Sequence, residues 1–505
     1  MAKILFINPV IRQNEKPSHV PYGLAQLAAI CVNKGHRVQV FDANAWRPTD
    51  VEICAVLGLD AWDVVAIGGL VTTYGFIKKT LKYVRNVCPN ALIVAGGGFI
   101  TPIPLDVMKF LPEIDVGVIG EGYITLPEIL AHIDEGAAEW EDVKGVIYRC
   151  SDGSLSLTSA RPLLNDVDSL PYPAWDLFPL DIYFRHSSLL LSEEAMLAKR
   201  HLGVIASYGC PYKCKYCFHL GLSGEIEITE GPDGRQLNIT SKRRVRFHSP
   251  EYVVGMVADA KRRFGIDFVS FLDENFAVLG KRKKWFNEFS DRWIGEGLQP
   301  QCMKDKTEHD PAKCQGVHWG TTAHPAVVNE EMLRRFKELG CAHLDYGLES
   351  FSDEILESID KGATAAMNEK AVIDTMKAGI RPIPNQIIGF PEESFASIKS
   401  NITAWKKLGI RSYPFLATPY PGSEWYYTFK DRIIAQYNGS LEDFLLDLGD
   451  ATNITAVISK NFNAVELLGL RELMVNKDIR RIDEYERYKE EINKCSTSSN
   501  MLDIG

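Results

Sequence analysis

Ala206-Ser207-Tyr208-Gly209-Cys210-Pro211-Tyr212-Lys213-Cys214-Lys215-Tyr216-Cys217-Phe218 places three cysteines as Cys-x3-Cys-x2-Cys directly after the apolar run Leu202 to Ala206. The run has strand character, and Gly209 and Pro211 end it, so the thiols fall on a compact loop where several sulfurs can converge on one inorganic centre. Three thiolates are one short of the four protein ligands of a closed zinc site or an ordinary iron-sulfur cluster. The loop either borrows a ligand from elsewhere or leaves one metal open to a substrate.

Working outward, 505 residues predict two or three domains, and 46% hydrophobic content is ample to fill their cores. A net charge of -10 argues against a broad electrostatic hold on nucleic acid or an anionic membrane. The basic runs Lys242-Arg243-Arg244 and Lys281 to Lys284 read as solvated faces. Met1-Ala2-Lys3-Ile4 reads as the start of a buried strand rather than a cleavable signal, so the 11 cysteines are expected reduced and the protein cytoplasmic. No apolar run reaches the length of a membrane span.

Upstream of the cysteine loop, apolar runs alternate with amphipathic segments: Ile4 to Asn8, Val38 to Asp42, Val64 to Gly68, Leu92 to Gly96 and Val116 to Gly120. That alternation predicts an α/β domain over residues 1–150, a doubly wound parallel sheet of about five strands. Its ligand belongs at the strands' carboxyl ends, where Gly69, Leu70, Thr72, Thr73 and Tyr74 follow one run, Gly97, Gly98, Phe99 and Thr101 another, and Gly120, Glu121 and Gly122 a third. Glycines there admit a large flat ligand close to the backbone, and the threonines can bond its polar rim. No Gly-x-Gly-x-x-Gly follows the first strand, so a dinucleotide is not expected. Residues 151–195 read as a connector whose Leu170-Pro171-Tyr172-Pro173-Ala174-Trp175 crosses a domain interface in extended form.

From 196 to 425, apolar runs recur with room for one helix between each: Leu202 to Ala206, Phe268 to Leu272, Val317 to Thr321, His343 to Leu348, Asn385 to Gly389 and Tyr413 to Thr418. About six βα units predict an open, partial barrel entered from the carboxyl ends of its strands. Polar residues collect there, with Asp273-Glu274-Asn275, Glu349-Ser350 and Pro391-Glu392-Glu393 after successive runs. Asp273 and Glu349 can equally cap the helices that follow them, and Tyr208, Tyr212 and Phe218 can simply pack. His219 to Thr240 reads as a β-hairpin inserted after the cysteine loop and able to cover the site. Cys302, His309, Cys314 and His318 fall in one stretch, but without a Cys-x2-Cys or His-x3-His pair they do not read as a zinc site. Residues 426–505 form a helical extension with no legible chemistry.

The three-cysteine loop, with an aromatic at Tyr216 before the last thiol, resembles the signature of the radical S-adenosylmethionine (SAM) enzymes. The order of the preceding loops, with Pro21-Tyr22-Gly23-Leu24-Ala25 and Gly120-Glu121-Gly122, looks like the cobalamin-binding domain found ahead of many of their cores. The resemblance covers Met1 to about Ser423 and implies a Rossmann-like cobalamin domain followed by a partial (β/α)6 radical SAM barrel. It implies a 4Fe-4S cluster on Cys210, Cys214 and Cys217. It also implies SAM at Tyr216, Phe218, Asp273, Glu274, Glu349, Ser350 and Ile387 to Phe390, including Ile388 and Gly389, and cobalamin on the glycine-rich loops above.

The sequence Asp-x-His-x-x-Gly of base-off, histidine-ligated cobalamin proteins is absent, and His19 and His36 lie in other contexts, so cobalt is expected without a histidine below it. The activity implied is methylation of an unactivated carbon through methylcobalamin and a deoxyadenosyl radical, fed by a flavodoxin- or ferredoxin-type donor and acting on a small molecule or peptide. The alternatives are an oxidative cyclase resembling the anaerobic magnesium-protoporphyrin ester cyclase, or a sensor without turnover.

Overall fold

In a computed structural model the chain forms two α/β layers systems joined by one continuous core; all residues are described except 137–138, 187–190, 220–223, 232–233, 240–243, 306, 308–313 and 500–505. The first sheet holds β1 (Lys3–Asn8), β2 (Arg37–Asp42), β3 (Val64–Gly68), β4 (Leu92–Gly96), β5 (Val116–Val118), β6 (Val146–Arg149) and β7 (Leu155–Leu157) in the order β2-β1-β3-β4-β5-β6-β7. Strands β1 to β5 are parallel, as their alternation with helices requires, and β1 pairs with β2 on one side and β3 on the other. The chain reverses direction across the sheet at β1, and the crevice beyond the carboxyl ends of β1 and β3 is where such a fold binds its ligand.

Strands β6 and β7 add antiparallel to β5 and bury Ile147 and Leu157, so the first sheet runs past 150 and that position falls inside a hairpin. The connector beyond it crosses the interface as its prolines and aromatics foretold. Gln26 donates to Pro171 O, the Ala174 amide donates to Ala25 O, and Trp175 is fully buried in a core shared by both halves.

The second sheet is built from β8 (His201–Val204), β13 (Phe268–Phe271), β14 (His318–Ala323), β15 (Cys341–Glu349), β16 (Arg381–Ile388) and β17 (Phe415–Leu416), all parallel and in sequence order from one edge to the other. Between β8 and β13 lie β9 (Ser207–Tyr208), the hairpin of β10 (Ile226–Gly231) and β11 (Gly234–Ile239), and β12 (Arg246–Phe247). Six strands in unbroken order, each followed by a helix, make an open half-barrel. Its helices are locally encoded. Pro250–Phe264 starts with Ser249 Oγ accepting from the Tyr252 amide, stops at left-handed Gly265, and buries Tyr252, Val253, Val254, Met256, Val257 and Ala260 against the sheet.

The inserted hairpin is present, and Ile226, Ile228 and Leu237 rest on the first domain's core while Arg235 donates to Leu157 O. The extension serves both halves. Helix Leu441–Asp447 packs Phe444 and Leu445 into the first domain's core, whereas Ala464–Val475 and Ile479–Ser499 pack on the barrel helix Phe395–Leu408. No helix among the described residues is long and apolar enough to cross a membrane.

Candidate active site between the two sheets

The carboxyl ends of the two sheets face one cavity of about 790 Å³. From the first domain come Arg12, Leu70, Thr72 and Gly98; from the cysteine loop come Tyr216, Cys217, Phe218 and His219; Glu349, Ile387, Thr418, Trp425 and Asp450 complete the wall.

The cysteine loop is held independently of any metal. The Cys217 amide donates to Cys214 O, Lys215 N to Ile359 O, and Trp425 N to Lys215 O, while the Tyr212 ring stacks on His324 at 3.5 Å. All three thiols are free of disulfides, Cys214 is buried, and burial pushes the Cys217 thiol up to about 12. Such thiols keep their protons until a metal displaces them. Among the described residues, the one set of metal-ligating side chains with all donor atoms within 4.8 Å of one another lies elsewhere.

Beside the loop sits a buried group that sequence reasoning found only in part. Tyr216 OH and Lys361 Nζ both donate to Glu349 Oε1, at 2.6 and 3.0 Å, with Lys361 4% and Glu349 5% exposed. Burial pulls the Lys361 ammonium down, but the charges of Glu349 and Cys214 more than offset it, leaving its pKa above the ordinary value. Glu349 ends β15 at φ +61, where the register against β16 shifts, and a Cβ on Gly347 would strike the Glu349 carboxylate and lie 3.1 Å from Lys361 Nζ. The strand is bent to aim this carboxylate at the cavity. With two donors on Oε1, Oε2 is the atom that can meet a cationic or hydroxylic ligand.

Other expected SAM residues are placed differently. Asp273 is 1% exposed, absent from the cavity wall, and accepts from Ala206 N at 3.0 Å and from Ser207 Oγ. Its carboxylate braces the strand that launches the cysteine loop. Glu274 lies 3.7 Å from His219. Ser350 Oγ bonds Asn401, and Ile388 and Gly389 back the wall formed by Ile387, with buried Glu393 accepting from the Gly389 amide at 3.0 Å.

Burial raises the Asp273 carboxyl to about 7 and that of Glu393 to about 7. A carboxyl whose folded pKa exceeds its unfolded value binds more protons when folded, so its contribution to stability is present at low pH and lost as pH rises from about 4 to 7. Asp273→Asn should remove one proton's share of that slope, about 1.4 kcal/mol per pH unit, and leave the share of Glu393. Urea midpoints between pH 5 and 7.5 check this.

On the corrinoid side the loops meet by backbone. The Phe99 amide donates to Gly69 O at 3.1 Å, and a Cβ on Gly97, at φ +85, would lie 3.0 Å from Gly69 O and 3.2 Å from Gly69 N. Gly97→Ala should therefore destabilise the chain by about 1–3 kcal/mol and lower retention of corrinoid, measured by thermal unfolding and by absorbance of the bound pigment.

Leu70, Thr72 and Gly98 present this edge to the cavity, whereas Thr73, Tyr74, Phe99 and Thr101 are turned inward. Thr73 Oγ1 donates to Leu70 O, Tyr74 OH to Glu442, and Thr101 Oγ1 accepts from Gly120 N. These four shape the loops from behind. Glu121 is likewise a tie between domains, ion-paired with Arg246 and accepting from Leu164 N at 3.1 Å, next to Gly122 at a helix start. Among the described residues the first domain places no histidine in this wall: His19 packs edge-on against His201, and His36 sits in the turn before β2 accepting from Ala2 N.

Lys361, Arg12 and Asp450 were missed, the last two forming an ion pair at 3.2 Å across the cavity mouth. No spacing announced them, since they come from irregular segments that only the fold brings together. His309 and parts of the Lys242-Arg243-Arg244 run lie outside the described residues.

Comparison with known proteins agrees with this geometry. Residues 10–130 match the B12 binding domain and residues 204–403 the radical SAM superfamily. An uncharacterized methyltransferase of Pyrococcus horikoshii is 28% identical over 445 residues, covering 87% of this chain and 85% of that one. The anaerobic magnesium-protoporphyrin IX monomethyl ester cyclase of Cereibacter sphaeroides is 26% identical over 376 residues, covering 74% of this chain and only 54% of the cyclase. Among solved structures, the radical S-adenosylmethionine methyltransferase TsrM from Kitasatospora setae, with cobalamin and a 4Fe-4S cluster bound, superposes with a TM-score of 0.63 at 16% identity, over 86% of this chain and 79% of that one. A radical SAM domain takes a 4Fe-4S cluster and SAM, a B12 binding domain takes cobalamin, and the thiol loop, the Glu349 group and the glycine crossing fit all three. The chain thus carries a radical SAM superfamily domain behind a B12 binding domain.

Proposed function

We propose that the chain methylates an unactivated carbon of a small molecule or peptide. The observation that carries this reading is the shared cavity, in which the corrinoid edge of Leu70, Thr72 and Gly98 and the cluster edge of Tyr216, Cys217 and Glu349 face one volume. When bound, the cluster and SAM supply a hydrogen-abstracting radical, and cobalamin supplies the methyl group.

The chain's own residues hold, orient and enclose. Cys210, Cys214 and Cys217 would ligate the cluster and leave one iron for SAM. Glu349 Oε2 would receive the ammonium or ribose of SAM, with Lys361 keeping the buried carboxylate paired and Tyr216 fixing its rotamer. Phe218, Ile387 and Trp425 exclude water from the site. Asp273 acts as a positioning residue through the strand that carries the loop. The loops carrying Gly69, Leu70, Thr72, Gly97 and Gly98 would hold cobalamin, and the absence of an Asp-x-His-x-x-Gly sequence is the reason for expecting no imidazole on cobalt; an imidazole-cobalt signal in electron spin resonance would count against that. A flavodoxin- or ferredoxin-type protein is the expected electron donor, in the cytoplasm.

The similarity to the cyclase favours one second reading, oxidative ring closure without methyl transfer. The reduced, reconstituted chain, incubated with substrate candidates and methyl-deuterated SAM, separates them. Methylation yields S-adenosylhomocysteine, deoxyadenosine, methionine and labelled product; cyclisation yields deoxyadenosine, methionine and unlabelled product, with no S-adenosylhomocysteine. Absence of deoxyadenosine with every candidate would move the reading to a sensor.

A further inference from the structure

At the opposite end of the barrel from the cysteine loop, a second thiol-bearing group has been assembled by the fold. Cys302 sits in the short helix Gln301–Asp305, Cys314 returns from the segment that follows, and His318 opens β14. Cys302 Sγ lies 3.1 Å from Cys314 Sγ and 3.5 Å from His318 Nε2, and Cys314 Sγ lies 4.0 Å from the same nitrogen. Ligands around a tetrahedral zinc ion, with Zn–S of about 2.3 Å and Zn–N of about 2.0 Å, stand about 3.5 to 3.8 Å apart. These three side chains bracket that spacing.

Two further features point the same way. His318 Nδ1 lies 3.2 Å from Gly340 O, a bond that puts the ring proton on Nδ1 and turns the Nε2 lone pair toward the sulfurs, as metal-binding histidines are commonly oriented. The excursion is also closed at its base, since Gln301 N donates to Gln315 O at 2.7 Å and Val317 N to Leu298 O at 2.8 Å. Backbone bonds thus preset the separation of Cys302 and Cys314 before any ion arrives. Glu194 and Asp267 line the same hollow as Cys314 and His318.

We propose that Cys302, Cys314 and His318 bind a zinc ion that clamps the 301–318 excursion to the floor of the barrel, remote from the radical chemistry. Binding displaces the two thiol protons and leaves both sulfurs as thiolates. The three residues form no Cys-x2-Cys or His-x3-His pair because the third comes from a strand start.

The test separates this site from the cluster loop, which can itself take up stray metal. The full-length chain carrying Cys210→Ala, Cys214→Ala and Cys217→Ala, purified without oxygen, is expected to retain about one zinc per chain, with an X-ray absorption edge fitting two sulfurs at about 2.3 Å and at least one nitrogen near 2.0 Å. Adding Cys302→Ala and Cys314→Ala should lower zinc at least about tenfold, whereas His318→Cys should keep it. The same absorption spectrum on the otherwise unaltered chain needs no variant to fold. Zinc below about a tenth of an equivalent in the parent, iron in its place, zinc persisting in the double variant, or a Cys302–Cys314 disulfide in alkylated anaerobic protein would each overturn the assignment.

Discussion

Cys214→Ala in the full-length, anaerobically reconstituted chain is expected to lose the Mössbauer signature of the 4Fe-4S cluster and to lower deoxyadenosine release by more than about a thousandfold, because ligands that act as a unit fail together. The fold should survive. The loop around Cys214 is secured through Lys215 to Ile359 O and through Trp425 to Lys215 O, neither of which involves a thiol. Circular dichroism should therefore match the parent while iron content falls. Deoxyadenosine at the parental rate would show that the radical chemistry does not depend on this sulfur.

Lys361→Met is expected to be the most destabilising single change at the site, by about 3–5 kcal/mol, since removing one partner of a buried ion pair strands the other. The stranded group is Glu349, which would face the thiolates with only Tyr216 donating to it. Denaturation midpoints of the SAM-free protein measure the loss. Adding Glu349→Gln to Lys361→Met removes the orphaned charge and should recover much of the stability without recovering SAM binding. Equal stability of Lys361→Met and the parent would mean that the pair is not formed in solution.

Much of the architecture could be read because each half repeats a simple rule. Apolar runs alternate with amphipathic segments, and strand-end glycines mark where backbone approaches backbone, as Gly97 and Gly69 do. The three cysteines were legible for the same reason, being close in sequence. Side-chain direction was not. Asp273 follows β13 and Glu349 ends β15, with β14 between them, yet one carboxylate turns back to the Ala206 amide while the bulge at Glu349 turns the other into the cavity. Lys361 belongs to no periodic pattern and becomes significant only when the loop after β15 folds over Tyr216. Glu121 looked like part of a ligand loop because its flanking glycines do, although Arg246, 125 residues later, claims its charge.

The extension that reaches both halves has a bearing on how the protein is made. Tyr74 and Lys78 of the first domain grip Glu442, and Lys399 of the barrel grips Asp483 and Glu486, so the residues that latch the halves together are translated after the strands of both sheets. Domains fold in the order they leave the ribosome. Both sheets are therefore complete in sequence before either latch, which leaves an interval in synthesis during which the cavity between them is not yet clamped.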